Sequence, residues 1–236
     1  MNLIAIHQPN FFSWLGYFDK IIRSDLFVFL DHVQFPKKGG VWTNRVKLMV
    51  AGEARWVTAP VDRKYHGVRS ICEMEFQRGV PWREKMLKSL EANYAKSGHF
   101  DDVMEFITPL VMNQENNVGN YNIHAVKTIA GNLGQPTDKF RVSSEMNIQK
   151  HSTEMLIEMV STLGGRAYMC GGGADGYQED AAFHSAGIDL IYQDFQHPVY
   201  LQGEGEAFVS GLSILDALFH LGVDGTRELL DKSGRS

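Results

Sequence analysis

The chain has 236 residues, 44% of them hydrophobic, and a formal charge of -5 at pH 7, enough apolar material for one large domain or two small ones. Lysine and arginine are spread along a net-negative sequence, which excludes the basic footprint that phosphate-backbone binding needs, so no nucleic-acid partner is expected. Cys72 and Cys170 lie far apart without CxxC spacing, and no apolar run approaches the roughly 20 residues of a membrane span, so a disulfide framework, a zinc knuckle and membrane insertion are not expected; a reducing cytoplasm is the expected location.

Residues 3–6 form a short apolar run that breaks at His7 and Gln8 and is followed by Pro9-Asn10, which reads as a buried strand ending in a loop. Trp14, Leu15, Phe18, Ile21 and Ile22 then fall at helical spacing, with Ser13 as the expected N-cap. A second apolar run, residues 26–30, ends in Asp31, His32 and Gln34. In open parallel sheets ligands bind outside the carboxyl ends of the strands. The polar residues at these two strand ends, His7, Gln8, Asn10, Asp31 and Gln34, are therefore the leading site candidates, with His7 and Asp31 in catalytic roles. The aromatics Phe11, Phe12, Trp14, Tyr17 and Phe18 read as core, and of these Tyr17 is also assigned to the substrate.

Residues 41–50 and 54–61 alternate around Ala51-Gly52-Glu53 and predict a β-hairpin. It carries Asn44, Arg45 and Lys47. Arg45 and Lys47 share a face, which suits a phosphate or carboxylate and equally suits a solvated edge strand. Residues 62–80 are polar, contain His66, and include a short strand around residues 71–76. Helical patterns follow at 81–95, 100–112 and 123–133. They predict an α-helical insertion over 81–135 between two parts of an α/β core, 1–80 and 136–236, with the helices as candidates for walling the pocket or for a homodimer contact.

Residues 141–144 read as a strand end and 151–163 as a helix closed by Gly164-Gly165. Residues 167–170 then form a strand running into Gly171, Gly172 and Gly173, with a helix from about residue 178. A glycine turn feeding a helix N-terminus lets backbone N–H groups approach a phosphate, although no complete Walker or dinucleotide fingerprint is present. A further strand over 187–192 ends in Gln193, Asp194, Gln196 and His197. His197 is the expected general base, with Asp194 to orient it, and Tyr200 is assigned to the substrate. Ser213 precedes a short amphipathic helix, and residues 223–236 form a last one. No cluster of metal ligands is visible, so a metal is expected only with the substrate. The fold class expected is α/β: a mostly parallel, open, Rossmann-like sheet with a β-hairpin and a central helical insertion.

The runs HQPNFFSWLGYFDKI, DLFVFLDHVQF and WTNRVKL within residues 6–48 closely resemble the signature of the WbqC-like protein family. Matches continue at Tyr168-Met169-Cys170-Gly171-Gly172-Gly173, at His197-Pro198-Val199-Tyr200 and at Leu212-Ser213-Ile214-Leu215-Asp216. The resemblance implies a bacterial transferase of surface-polysaccharide (O-antigen) biosynthesis that modifies an activated amino sugar by acyl or aminoacyl transfer, glycine transfer included, with a nucleotide or sugar nucleotide as substrate. Two alternatives stand beside it. One is a non-catalytic module that binds a sugar nucleotide or scaffolds other enzymes. The other is an ATP-dependent adenylating or nucleotidyl-transferring enzyme, for which the usual HxGH pair is missing because Gly16-Tyr17 stands in its place.

Overall fold

The computed structural model describes residues 2–36, 42–171, 179–203 and 207–233. Five short strands form one parallel sheet: β1 (Leu3–His7), β2 (Leu26–Phe29), β5 (Phe140–Val142), β6 (Ala167–Cys170) and β7 (Asp189–Tyr192). Their spatial order is β5-β2-β1-β6-β7. The chain thus lays β2 and β5 outward on one side of β1, then returns to lay β6 and β7 on the other. Direction of travel reverses between β1 and β6, and at such a switch point the loops leaving neighbouring strand ends diverge and open a crevice. The expected α/β class and mostly parallel sheet are what the structure has.

Strand alternation sorts the core into two layers. Ile4, Ile6, Val28, Tyr168 and Cys170 pack with Met155, Leu156, Met159 and Val160 of helix α5 (Ser152–Thr162) and with Phe183 of helix α6 (Asp180–Ser185). Ala5, Phe27, Phe29 and Met169 face the other way, onto Tyr17, Phe18 and Ile21 of helix α1 (Leu15–Arg23). The same cluster takes in Trp82, Leu90, Val103, Tyr121 and Val126 from α2 (Trp82–Tyr94), α3 (Phe100–Val111) and α4 (Val118–Asn132), and Leu215 and Leu218 of α7 (Ile214–Ser233). Gly222, at φ 70 and ψ -178, interrupts α7 between the two helical stretches that the sequence pattern separates.

Several local expectations shift. The hairpin consists of β3 (Arg45–Val50) and β4 (Glu53–Thr58), and Glu53 pairs with Val50 instead of sitting in the turn. Ala51 and Gly52, at φ 53 and 77, make a two-residue turn whose left-handed pair matches the twist of the strands. Residues 71–76 contain no strand; Ile71–Glu73 is a 3-10 turn held by a reciprocal capping box between Ser70 and Glu73. Helix α4 begins at Val118, five residues earlier than its apolar pattern, because Asn117 caps it by accepting from the Asn120 N–H.

Ser13 does not cap α1. Trp14 stands at the cap position without a side-chain bond, and the segment is pinned from elsewhere. Trp14 bridges Ser213, Ile214 N donates to Ser13 O at 2.8 Å, and Ser213 Oγ donates to Phe12 O at 2.5 Å. Phe12 needs the support, since its φ of 41 lies in the left-handed region, a conformation that costs a non-glycine residue about 1–3 kcal/mol.

Candidate functional site

The crevice at the switch point has a volume of about 350 Å³. Its lining comes from the end of β1 (Ile6, His7, Gln8), from Leu30 and Val33 after β2, from Tyr168 and Gly171 at β6, from the first turns of α5 (Ser152, Met155, Leu156), and from Lys20 of α1.

Lys20 is 2% exposed. Its Nζ reaches back to donate to Ile6 O at 3.4 Å and stands 3.9 Å from where a Cβ on Gly171 would be. Among the described residues no carboxylate lies within ion-pair distance of it. Burial lowers its pKa to about 8, with Cys170 opposing. An ammonium held this way has given up water without gaining a counter-charge.

His7 sits beside it. Its Nδ1 is 3.1 Å from Gln8 O, an acceptor, so Nδ1 carries the proton and Nε2 keeps its lone pair. Tyr17 donates its OH to the same carbonyl at 3.0 Å and meets the imidazole edge-on at 4.8 Å. Burial and then the charge of Lys20 lower the His7 pKa to about 3, against the raising effect of the Gln8 bond. The ring is therefore neutral at pH 7, and its NMR carbon shifts are expected to show no inflection near pH 6.5, where an ordinary imidazole titrates. Unfolded His7 takes its proton near 6.5 and the folded residue near 3, so His7 withdraws stability as the pH falls through that interval.

The third element is α5. It points its N-terminus at the crevice, and His151, at its cap position, makes no side-chain cap bond. The partial positive charge of that helix end adds to that of Lys20. Among the described residues no Asp or Glu lines the crevice, and those that do line it form a cradle for an anion.

Asp31 lies at the end of β2, 2% exposed. Its Oδ1 accepts from Ser143 Oγ at 2.9 Å and Ser144 N at 2.8 Å, and its Oδ2 from Ser144 Oγ at 2.7 Å. His32 Nδ1 contacts Ser143 Oγ at 2.6 Å. With Ser143 only 1% exposed, this Asp-Ser-His group ties the turn after β5 to the end of β2.

The remaining predicted positions spread out. Asn10 is buried, and Gln34 is exposed on a backbone bridge to Ser70. Asn44 donates to Ala59 O at 2.9 Å and closes the base of the hairpin. Arg45 and Lys47 do share a face, over Trp56. Gly172 and Gly173 lie outside the described residues. His197 and Asp194 line another cavity of about 570 Å³ with Arg23 and Lys232. There the ring of His197 meets Phe195 at 5.1 Å, burial lowers its pKa, and Asp194 accepts from Gln196 at 3.4 Å. Tyr200 donates to Asp216 Oδ2 at 2.7 Å, opposite Tyr94 on Oδ1 at 2.9 Å, in a buried network at a third cavity of about 830 Å³ bounded by Tyr94, Gln202 and His220. The structure thus brings together His7, Gln8, Tyr17 and Gly171, and it leaves His197, Asp194 and Tyr200 outside that crevice.

Sequence reading missed Lys20. Its signal was position: it falls three residues after Tyr17 and next to Ile21, on the face of α1 that is buried, where a lysine is costly.

Among the described residues no group of three His, Cys, Asp or Glu is placed to hold a metal ion, and no helix is long and apolar enough to cross a membrane. In comparisons with known proteins, the sequence model described as "WbqC-like protein family" matches residues 8–228. A protein of Mycobacterium tuberculosis (strain ATCC 25618 / H37Rv), described as "Uncharacterized protein Rv1507c", is 28% identical over 226 residues, covering 95% of this chain and 96% of that protein. No solved structure matches the chain.

Proposed function

We propose, from the premise that this chain belongs to the WbqC-like protein family, that it is a cytoplasmic transferase moving an acyl or aminoacyl group onto an activated amino sugar in surface-polysaccharide (O-antigen) biosynthesis. The observation that carries this reading is the buried Lys20 ammonium, without a carboxylate partner among the described residues, beside a neutral His7 in the switch-point crevice.

In this reading the phosphate of the activated sugar enters between Lys20 and the N-terminus of α5, where a fixed cation and helix dipole receive it in place of water. Burial is the larger cause of the depressed His7 pKa, and an anion there offsets the second, the charge of Lys20. The imidazole thus becomes a better base only once substrate is bound. The sugar amine donates a hydrogen bond to His7 Nε2 and attacks the carbonyl carbon of an activated acyl donor. The new C–N bond forms as the amine proton passes to Nε2, and the bond to the donor's thiolate or phosphate breaks as that group leaves with its electron pair. Asp31 does not carry a proton in this scheme, because Ser143 and Ser144 already occupy both of its oxygens.

The test is a thermal-shift panel of sugar nucleotides, nucleoside triphosphates and acyl donors, followed by mass spectrometry of the mixtures. Stabilisation by a sugar nucleotide and a mass gain on the sugar with one acyl donor are expected. Stabilisation without product from every donor would make the protein a binding module, and a product carrying a nucleotidyl group would make it an adenylating enzyme.

A further inference from the structure

The side of His7 turned toward the hairpin carries a feature that the transfer scheme leaves unused. Trp14 meets the His7 ring edge-on at 6.0 Å and leans on Trp42 at 4.6 Å, and Trp42 meets Trp56 edge-on at 4.8 Å. Of the four tryptophans in the chain these three stay partly open to solvent, Trp56 at 38%, while Trp82 is buried. Beyond them, Arg45 Cζ sits 3.9 Å over the Trp56 ring and Lys47 Nζ 5.3 Å from its centroid.

The wall is held from below. Phe11 N donates to Trp42 O at 2.8 Å, and buried Asn122 donates to both Pro9 O and Thr43 O, at 2.9 and 2.7 Å. These bonds fix the loop after β1 against the base of the hairpin and so set Trp42 beside Trp14. Gly16 makes room: a Cβ there would stand 2.7 Å from Trp14 Nε1.

An indole N–H open to solvent is free to donate to a ligand. Here none of the three donates to a described residue, and Arg45 Nε is buried without a partner. The side chains of the wall offer flat faces and N–H donors, with no acceptor among them. Their complement is a flat ring rich in acceptors. A pyrimidine-dione has two carbonyl oxygens for such donors and a face for stacking. Adenine also has ring-nitrogen acceptors, but its N1 and N7 flank the amino group, so either edge brings a donor against the wall, whereas the O4 edge beside C5 of a pyrimidine-dione brings none.

We propose that the wall formed by Trp14, Trp42 and Trp56 with Arg45 binds the uracil or thymine base of a nucleoside diphosphate sugar whose phosphates occupy the crevice at Lys20. This rests on the anion reading of that crevice and names the nucleotide class of the substrate.

Calorimetry and intrinsic tryptophan fluorescence in magnesium-free buffer, with UDP, ADP and pyrophosphate as probes, separate the two claims. UDP is expected to quench the emission, to bind at least about tenfold tighter than pyrophosphate, the order contributed by one stacked base, and to bind more tightly than ADP. Trp42→Ala should bring UDP down to the affinity of pyrophosphate and leave pyrophosphate binding intact. Trp42→Phe, which keeps a flat ring and controls for folding, should retain most of the advantage. Equal binding of UDP and pyrophosphate, equal binding of UDP and ADP, or an undiminished UDP advantage in Trp42→Ala would each overturn the base-binding wall. UDP binding that depends on Trp42 while pyrophosphate fails to bind would support the wall and remove the anion site. Absence of binding by all three probes would remove both.

Discussion

Replacing Lys20 by Met removes anion binding from the switch-point crevice and makes the empty protein more stable. The ordinary lysine pKa of 10.5 is lowered to about 8 in the fold. Between those values the unfolded chain holds a proton that the folded chain has released, so stability rises with pH through that window. Below it the cost of burying the charge is fully present, on the order of 3 kcal/mol. Above about pH 10.5 the cost has gone.

Methionine fills a similar volume without a charge, so Lys20→Met should gain about 1–3 kcal/mol near neutral pH after loss of the Ile6 contact, and should flatten the rise toward alkaline pH. Urea melts at neutral and alkaline pH would measure both effects. Binding of an anionic probe should weaken on the order of 100-fold, because the ligand charge would lose its buried partner. A variant that bound anions as well as the parent would take Lys20 out of the site, whatever its stability.

Asp31→Ala should act in the opposite direction. The substitution strands the buried Ser143 Oγ and removes the two bonds that fix Ser144, and loss of the acceptor for a buried donor costs about 1–3 kcal/mol. Equilibrium denaturation is expected to show that loss, with a smaller one for Asp31→Asn, which keeps one acceptor oxygen. Ligand affinity, measured where the variant remains folded, should change little. If Asp31→Ala were as stable as the parent and yet inactive, Asp31 would be a catalytic carboxylate after all.

These two residues illustrate what sequence reading reaches. Residues 3–30 disclosed a strand, a helix and a second strand because apolar runs of strand length bracket an amphipathic turn sequence, and all three elements are there. The polar strand ends were legible for the same reason. Which ends share a crevice was not, because strand order is a property of the assembled sheet. β1 and β6 are neighbours across the switch point, whereas β7, which leads to His197, is the edge strand beyond β6. Lys20 was passed over because a single lysine in a helix usually reaches water, and only the packing of α1 against the sheet shows that this one does not. The role of Asp31 depended on Ser143 and Ser144, more than a hundred positions along the chain.

The pinning of the Phe12–Trp14 segment by Ser213 bears on the order in which the molecule is made. Ser213 donates its side-chain hydroxyl to Phe12 O across 201 sequence positions. Its own backbone N–H donates to Lys47 O at 2.9 Å, and the next residue secures Ser13 O. The left-handed Phe12, the tryptophan wall and the hairpin base therefore share a clasp that leaves the ribosome long after they do. The parallel sheet likewise waits for β6 and β7 before its crevice has two sides. A nascent or truncated chain holds most of the aromatic residues of the site but not the geometry that makes them a site. If the crevice and the wall bind substrate as proposed, competence to bind arrives only once this late clasp is made.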